Sequence, residues 1–228
     1  MRHPEIDRRS LLAGARGITG PAIVIDTFRA FTTAAYLFDR GADHIVLAET
    51  LDEARSRSAT LPESLLCGEE NGRKPHDFDI GNSPTEAAAL SDLAERVIVM
   101  RTSAGTRAVV TALLGGARPV YAASLVVAGA TAAAVEDEQR AAIVAAGLSG
   151  ESLADEDEET ASLIADRLRR EHDDPNRLTR IRSGVGAERL RSTPWIDSND
   201  LDLCLDVDRF SFAMRARLED GVPVLRTE

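Results

Sequence analysis

The 228-residue chain carries a formal net charge of −11, with 29% charged and 43% hydrophobic residues, as expected of a globular protein. This acidity, without a basic stripe on any segment, argues against nucleic-acid binding, and no apolar run reaches the roughly 18 residues of a membrane span. Two cysteines far apart in sequence, Cys67 and Cys204, give no disulfide framework and favour a reducing cytoplasm.

The chain up to residue 147 alternates short apolar runs with polar turns and helix-forming segments. Residues 1–21 show no clear pattern and are interpreted as an N-terminal arm, whereas residues 22–228 are predicted to form a single domain. Apolar runs predict buried strands at 22–25, 44–48, 64–67, 97–100, 119–122 and 141–145. Their alternation with helices predicts an α/β fold of three α/β/α layers around a mostly parallel sheet, with a mixed sheet left open.

The chain changes character after Gly147. Five consecutive acids at 155–159 precede a helix with arginines near its end, which suits the helix dipole and predicts a solvated helix. The alternative is that one or two of these carboxylates face a site. Residues 173–198 are polar and irregular, residues 201–207 alternate apolar and acidic side chains, and the run 222–225 predicts a last edge strand.

A polar loop at residues 67–86 holds the densest mixture of acids, bases and glycines in the chain. It ends in the capping box Ser83-Pro84-Thr85-Glu86, which predicts a helix start whose free backbone N–H groups favour an anion. Acids beside such a helix start suggest a bound metal together with a bound phosphate. The alternative is a surface loop with a well-formed cap.

Polar side chains follow several of the predicted strands. Ligands in open α/β sheets bind at the carboxyl ends of the strands. This rule selects Asp26, Arg29, the 69–83 loop, the 102–106 turn, Ser124 and the acids from Asp155. If the sheet is parallel, these groups gather at one rim. Each has a simpler explanation: Asp26 caps its own helix, Arg29 pairs with Asp26, and the 102–106 turn permits close packing.

The metal most compatible with this sequence is magnesium. The four histidines are scattered without ligand spacing, which disfavours zinc and favours a hard cation on carboxylate oxygens. Lys74 is the single lysine among 27 basic residues, so recognition of a phosphate would depend largely on arginine forks and backbone amides.

Three stretches together resemble the signature blocks of a known family. They are residues 25–33 (IDTFRAFTT), residues 68–84, which end in FDIGNSP, and residues 102–106 (TSAGT). These blocks are similar to those of the 2-phosphosulfolactate phosphatases, the ComB family, and the similarity continues through residues 155–158 and 206–210. Because the FDIGNSP block is long and unusual, the chain is identified as a member of that family from about residue 22 onward.

The resemblance implies a ComB-like α/β fold and a Mg²⁺-dependent phosphatase that converts 2-phosphosulfolactate and water into sulfolactate and phosphate, a step toward coenzyme M. The residues predicted to be catalytic are Asp26, Arg29 and Glu69. From residue type and placement, the predicted metal ligands are Asp26, Glu69, Asp79, Glu156 and Asp157. The residues predicted to bind the phosphorylated substrate are Arg29, Thr32, Asn82, Ser83, Ser103, Gly105 and Thr106. A nucleophilic role for Asp26, through an aspartyl-phosphate, is left open.

Three positions depart from the usual pattern of the family, and each loses a polar or positive group. Glu70 stands where an arginine is usual, Ala104 where an asparagine is usual, and Val127 where an asparagine is common. Two other functions are therefore kept: a phosphatase for a different phosphorylated hydroxy acid, and a non-catalytic descendant that binds an anion. A third alternative, a purely structural or interaction role, would not explain the concentration of acids, bases and glycines in the 67–86 loop. A homo-oligomer is left open.

Overall fold

The structure, a computed structural model, describes residues 3–228. These residues form ten strands of one sheet: β1 (Glu5–Ser10), β2 (Gly20–Ile25), β3 (His44–Ala48), β4 (Leu65–Gly68), β5 (Ile80–Gly81), β6 (Val97–Arg101), β7 (Ala117–Ala123), β8 (Arg140–Ala145), β9 (Met214–Glu219) and β10 (Val222–Thr227). They also form ten α-helices: α1 (Leu11–Gly14), α2 (Ala30–Asp39), α3 (Leu51–Thr60), α4 (Pro84–Ala88), α5 (Gly105–Leu114), α6 (Ala128–Val135), α7 (Asp155–Leu168), α8 (Arg177–Ser183), α9 (Val185–Ser192) and α10 (Asp200–Cys204). Every strand that the apolar runs predict up to residue 145 is present.

The sheet consists of two parallel groups of strands joined by an antiparallel hairpin. Its order is β1-β8-β2-β7-β9-β10-β3-β6-β4-β5. The first four strands of that order are parallel to one another, and so are the last four. The hairpin β9–β10 pairs antiparallel with β7 on one side and with β3 on the other. The prediction of an α/β fold with a mostly parallel, mixed sheet is confirmed.

The two parallel groups run in opposite directions, because three antiparallel pairings separate β7 from β3. Their carboxyl ends nevertheless meet: Gly105, after β6, donates its backbone N–H to Oδ2 of Asp26, after β2, at 2.8 Å. A twist of roughly 20–25° per strand pair accumulates to about 100–125° over the five pairs from β2 to β6. That twist turns both groups around α5, which contacts β2, β7, β9, β3 and β6.

Alternate residues of the strands enter hydrophobic cores on the two faces of the sheet. Val24 of β2 packs in an inner core with α2 and α5, whereas Ile23 and Ile25 pack in an outer core with α6 and α7. On the outer face of the other strand group, α3 buries Ala54 in a cluster with Val46 of β3. This alternation with a period of two gives the predicted three layers of helix, sheet and helix.

Four strands were not predicted or were predicted at another place in the sheet, and β5 and β9 are two of those that were not predicted. Residues Glu5–Ser10, within the predicted N-terminal arm, form β1 and pair in parallel with β8 at one edge of the sheet. The strand predicted at 222–225 is β10, which lies between β9 and β3, so its predicted edge position is wrong. Contacts distant in sequence decide the neighbours of a strand. Pro223 is tolerated inside the sheet because pairing with β3 begins at Val224.

The segment 173–198, predicted to be irregular, contains α8 and α9, and the alternating segment 201–207 overlaps α10. Ile181, Ala187 and Leu190 of these helices pack in the outer core, and α7 contacts both α8 and α9. This burial stabilises short helices that have little local signal of their own. Within residues 3–228, no helix combines the length and the apolar character that crossing a membrane requires.

Candidate active site

A cavity of about 320 Å³ lies where the carboxyl ends of β2, β4 and β6 meet the N-terminus of α7 and the helix α9. The residues of the predicted site that line it are Asp26, Arg29, Glu69, Asn82, Ser103, Glu156 and Asp157. They come from both parallel strand groups. The structure therefore brings them together through the twist of a mixed sheet, and not along the single rim of a parallel one.

Asp26 follows β2 and is 7% exposed. Its Oδ1 accepts the backbone N–H of Ala30 at 3.1 Å, and its Oδ2 accepts that of Gly105 at 2.8 Å. Burial raises the pKa of Asp26 to about 6, because the two backbone donors only partly offset the loss of hydration, and the charge of Glu69 adds to the rise. Asp26 thus accepts a hydrogen bond from the first turn of α2, in agreement with the alternative that it caps its own helix. It also lines the cavity.

Glu156 and Asp157 come from the first turn of α7, and each is 2% exposed. Asp157 accepts the backbone N–H of Thr27 at Oδ1 (2.7 Å) and that of Gly147 at Oδ2 (2.9 Å). Burial, followed by the charge of Asp26, raises the pKa of Asp157 to about 8. Burial, followed by the charge of Asp157, raises the pKa of Glu156 to about 9. The prediction that the acids at the start of this helix are solvated is therefore wrong for Glu156 and Asp157.

Glu69 ties two turns of the site together. Its Oε1 accepts the backbone N–H of Ser103 at 2.6 Å, while its Oε2 accepts the backbone N–H of Gly72 at 2.7 Å and the Oγ–H of Ser103 at 3.2 Å. The carboxylate thus joins the loop after β4 to the turn after β6. Both oxygens accept hydrogen bonds, as those of Asp26 and Asp157 also do, and this geometry gives Glu69 a positioning role, while its role as a metal ligand stays a prediction.

Arg29 is buried against Asp200, a residue that the sequence analysis did not select. Its Nη1 donates to Oδ2 of Asp200 at 2.5 Å, and both side chains are almost fully buried. Oδ1 of Asp200 accepts the Oγ–H of Ser83 at 2.7 Å and the backbone N–H of Thr85 at 3.0 Å. Arg29 therefore pairs with Asp200 and not with Asp26. Its other guanidinium N–H groups have no partner among residues 3–228.

Asn82 and Ser83 precede α4, the helix that the capping box predicts. The Oγ of Ser83 accepts the backbone N–H of Glu86 at 3.2 Å, so the predicted cap is confirmed. Asn82 lines the main cavity, and its Oδ1 accepts the Oγ–H of Thr33 at 3.2 Å. Ser83 instead lines a neighbouring cavity of about 310 Å³, which shares Arg29 and Asn82 with the main one.

Besides Ser83, four residues of the predicted site do not line the main cavity. Asp79 is exposed, and its Oδ2 accepts a backbone N–H of β4 at 2.8 Å, so the structure separates it from the other predicted metal ligands. The hydroxyls of Thr32 and Thr106 are buried and each donates to a backbone carbonyl at 3.0 Å. Gly105 contributes only its backbone N–H, to the carboxylate described above. The side chains of neighbouring residues point to different sides of a helix or strand. A residue next to a site residue in sequence therefore need not reach the cavity.

The sequence analysis missed a group of cavity residues on α9 and the segment after it. They are Arg189, Leu190, Thr193, Trp195 and Ile196. The indole Nε1–H of Trp195 donates to the carbonyl of Gly72 at 3.0 Å, and the guanidinium of Arg73 lies 3.7 Å from the ring centre. The one available signal was the single tryptophan of the chain, placed in an otherwise polar stretch.

The acids of the cavity have the chemistry of a site for a hard cation, but they do not form a complete cage. The Oε2 of Glu156 is buried without a hydrogen-bond partner in the described chain, and Asp26 and Asp157 line the same cavity. Within residues 3–228, no three His, Cys, Asp or Glu side chains are arranged to hold a metal ion by themselves. Mg²⁺ keeps several waters and uses few carboxylates together with substrate phosphate oxygens, so this donor set suits it.

Of the three positions that depart from the family pattern, Ala104 alone lines the cavity. Glu70 is exposed and exchanges backbone hydrogen bonds with Arg73, whereas Val127 is fully buried in the inner core. The amide lost at position 104 is therefore the departure that changes the surface offered to a ligand.

Comparisons with known proteins agree on one family. A family model described as 2-phosphosulpholactate phosphatase matches residues 11–217. A Deinococcus radiodurans protein named "probable 2-phosphosulfolactate phosphatase" is 40% identical over 149 residues, which cover 64% of this chain and 61% of that protein. A Bacillus subtilis protein of the same name is 29% identical over 207 residues, 89% of this chain and 90% of that protein. A third, from Thermus thermophilus, is 37% identical over 148 residues, 64% of this chain and 60% of that protein. The chain therefore aligns with less than two thirds of the Deinococcus and Thermus proteins.

Proposed function

The chain belongs to the 2-phosphosulfolactate phosphatase family, and on that premise we propose that it hydrolyses a small anionic phosphomonoester with the help of Mg²⁺. The substrate of the proposal is 2-phosphosulfolactate, which reacts with water to give sulfolactate and phosphate. The observation that carries the proposal is the single cavity into which Asp26, Glu156 and Asp157 open beside Arg29. Buried acids and a buried arginine in one cleft suit a divalent cation together with a phosphate group.

Glu156, Asp157 and Asp26 are the residues that would hold the metal. Burial with too little compensating positive charge raises the pKa of all three carboxyls, and a divalent cation supplies that charge. The Oε2 of Glu156 is buried without a hydrogen-bond partner among residues 3–228, so a cation beside it would supply an interaction that the described chain does not. When bound, Mg²⁺ would polarise the phosphoryl group as a Lewis acid.

Arg29 and Asn82 are the groups that would hold the phosphoryl oxygens. Arg29 has guanidinium N–H groups that Asp200 does not use, and the Nδ2 of Asn82 has no partner among the described residues. The ion pair with Asp200 holds the guanidinium of Arg29 in place, and the hydrogen bond from Thr33 fixes the orientation of the Asn82 amide. Because these donors are fixed before the substrate binds, they stabilise developing negative charge with little reorganisation.

Glu69 has a positioning role in this proposal, through its bonds to Ser103 and Gly72. The Glu69→Gln substitution places an NH₂ group where two N–H donors now converge on the carboxylate. We therefore expect the turn after β6 to shift and activity to fall.

A second candidate function is hydrolysis of a different phosphorylated hydroxy acid, and the position of Ala104 favours it. Ala104 lines the cavity where the family usually has an asparagine, so one amide that could read a second anionic group is absent. A substrate without a sulfonate would make less use of that amide.

Release of inorganic phosphate tests the proposal. A generic phosphomonoester and a panel of phosphorylated hydroxy acids, with and without a sulfonate, are incubated with the chain in Mg²⁺ or in EDTA. We expect Mg²⁺-dependent release, a loss of at least about 100-fold in Asp26→Asn, as for removal of a group at a reacting centre, and the highest kcat/KM on one member of the panel. The exposed Asp52→Asn variant is the matched control and keeps wild-type activity.

Activity that is unchanged in Asp26→Asn would contradict the assigned site. No release from any member of the panel, together with anion binding by titration, would favour the non-catalytic descendant. Trapping of a phosphorylated Asp26 after rapid quenching would replace its role as metal ligand with that of a nucleophile.

The proposal places the enzyme in the cytoplasm, because Cys67 and Cys204 are both free and buried, as suits a reducing compartment. A step toward coenzyme M follows if the panel identifies 2-phosphosulfolactate as the preferred substrate. Sulfolactate must then be the substrate of the next reaction.

A further inference from the structure

One arginine of the cavity has no side-chain partner in the described part of the chain. The guanidinium of Arg189 lines the cavity, yet it makes no hydrogen bond or ion pair with any of residues 3–228. Arg29, the other arginine lining the cavity in the described chain, is neutralised by Asp200. A guanidinium is weakly hydrated and presents a planar fork of donors, so an unpaired one in a cleft is available to an anion.

The charge of Arg189 reaches the acids of the site. Burial raises the pKa of Asp26, and the positive charge of Arg189 is among the effects that oppose this rise. The guanidinium and the Asp26 carboxylate therefore face the same space without touching. An anion that enters this space meets Arg189 on one side and the acids that would hold a cation on the other.

The position of Arg189 is set by the start of its helix. Oδ2 of Asp155 accepts the backbone N–H of Val185 at 3.0 Å, and Oδ1 accepts that of Gly186 at 3.4 Å. Gly186 packs so closely on α7 that a Cβ atom there would lie 2.1 Å from Oε2 of Glu156. Arg189 follows Gly186 by three residues, so both lie on the face of α9 that is turned toward the site acids.

We infer that Arg189 is a second anion-binding arginine, carried over the cavity by α9, and that it contacts the phosphoryl oxygens of the substrate. This inference rests on the proposed function, because the phosphate that Arg189 binds is the group to be released. Lys74, the single lysine, is paired with Glu86 and lines the neighbouring cavity instead. Arg189 thus supplies the uncompensated positive charge of the main cavity, and its fork matches two phosphate oxygens.

Inorganic phosphate is the probe for this inference, measured by calorimetry in Mg²⁺ and as an inhibitor of phosphatase activity. Arg189→Met removes the charge and keeps the apolar stem, while Arg189→Lys keeps the charge without the fork. Arg191→Met is the matched control, because Arg191 lies on the same helix and donates to the carbonyl of Arg182 outside the cavity. We expect Arg189→Met to raise the Kd of phosphate and the KM of the substrate roughly 10–100-fold, with an intermediate effect of Arg189→Lys and none of Arg191→Met.

Equal phosphate affinity in the wild type and in Arg189→Met would overturn the inference, and so would an absence of phosphate binding in both. If the wild type binds phosphate through Arg189 but hydrolyses no phosphomonoester, the proposed function fails and the assignment of Arg189 stands. Thermal unfolding of each variant separates a loss of the anion site from a loss of the fold, and Arg189→Lys provides the second variant if Arg189→Met does not fold.

Discussion

The Oδ2 of Asp26 accepts the backbone N–H of Gly105 at 2.8 Å, across 79 positions of the chain. This hydrogen bond joins the end of β2 to the start of α5, and so it connects the two parallel strand groups at the cavity. A Cβ atom at position 105 would lie 2.8 Å from the same oxygen and 2.9 Å from Cβ of Asp26. The close approach of the two residues therefore requires glycine.

We expect Gly105→Ala to displace the Asp26 carboxylate and to lower kcat by at least about 10-fold, with a loss of about 1–3 kcal/mol in the free energy of unfolding from overpacking. Phosphate release and urea denaturation measure the two effects. Asp26→Asn is the companion variant, since it removes the charge without adding volume. Wild-type kcat in Gly105→Ala would show that this contact does not position the acid.

The buried acids of α7 predict a pH dependence of stability in the metal-free protein. The pKa of Glu156 is raised from 4.5 to about 9, chiefly by burial, so the folded state binds more protons than the unfolded state between these values. The free energy of unfolding therefore falls as pH rises through this window, by up to about 1.4 kcal/mol per pH unit for each such group. Urea denaturation in EDTA from pH 5 to pH 9 measures the slope.

Glu156→Gln is expected to flatten that slope, because the amide is neutral at every pH in the window. The exposed Asp52→Asn variant leaves the slope unchanged. A slope in Glu156→Gln as steep as in the wild type would mean that other groups cause the pH dependence.

Mg²⁺ is expected to stabilise the folded chain at pH 8 by neutralising the same carboxylates. A ligand at 100 times its Kd adds about 2.7 kcal/mol to the free energy of unfolding, which raises Tm. Glu156→Gln and Asp157→Asn should lose most of this Mg²⁺-dependent rise, while Asp79→Asn should keep it because Asp79 lies outside the cavity. An equal rise in all variants would place the metal elsewhere.

Asp155 is expected to hold α9 in place. Asp155→Ala removes the acceptor for the backbone N–H groups of Val185 and Gly186 and should cost about 0.5–2 kcal/mol, the usual value for a lost helix cap. Hydrogen exchange at residues 185–192 should accelerate more than exchange in the sheet. Asp202→Ala, which breaks an exposed ion pair with Arg182, is the control and should change little.

The buried ion pair between Arg29 and Asp200 predicts an asymmetric pair of variants. Asp200→Asn leaves Arg29 buried without its counter-charge and should cost about 3–5 kcal/mol. Adding Arg29→Met should recover part of that stability while activity stays low, because the phosphate-binding group is then absent. Unfolding by denaturant and phosphate release distinguish the two effects. Equal stability of the single and double variants would argue against an uncompensated charge.

Local patterns predicted much of the fold and part of the site. The apolar run before Asp26 marks β2, because a strand buried on both faces reads as a continuous hydrophobic stretch. The capping box at Ser83 predicts α4, because the cap is made by residues three positions apart. In both cases the interaction that decides the structure lies within a few residues of the signal.

Local patterns could not predict that Arg29 pairs with Asp200 or that Arg189 lines the cavity. Asp200 is 171 positions from Arg29, and nothing near either residue in sequence indicates their ion pair. The acids at 155–159 look like an ordinary helix start, yet Glu156 and Asp157 are buried because Asp26 and α9 pack against them. The burial of a charge depends on neighbours that the chain brings from elsewhere.

By itself the sequence determined the family, the alternation of strands and helices, and the residue types available for chemistry, because these follow from local periodicity and composition. Only the tertiary structure decided which acids share one cavity, that Asp79 is outside it, and that α9 covers it with Arg189. The physical reason is the twist across antiparallel pairings, which brings together the ends of strands that run in opposite directions in the sheet.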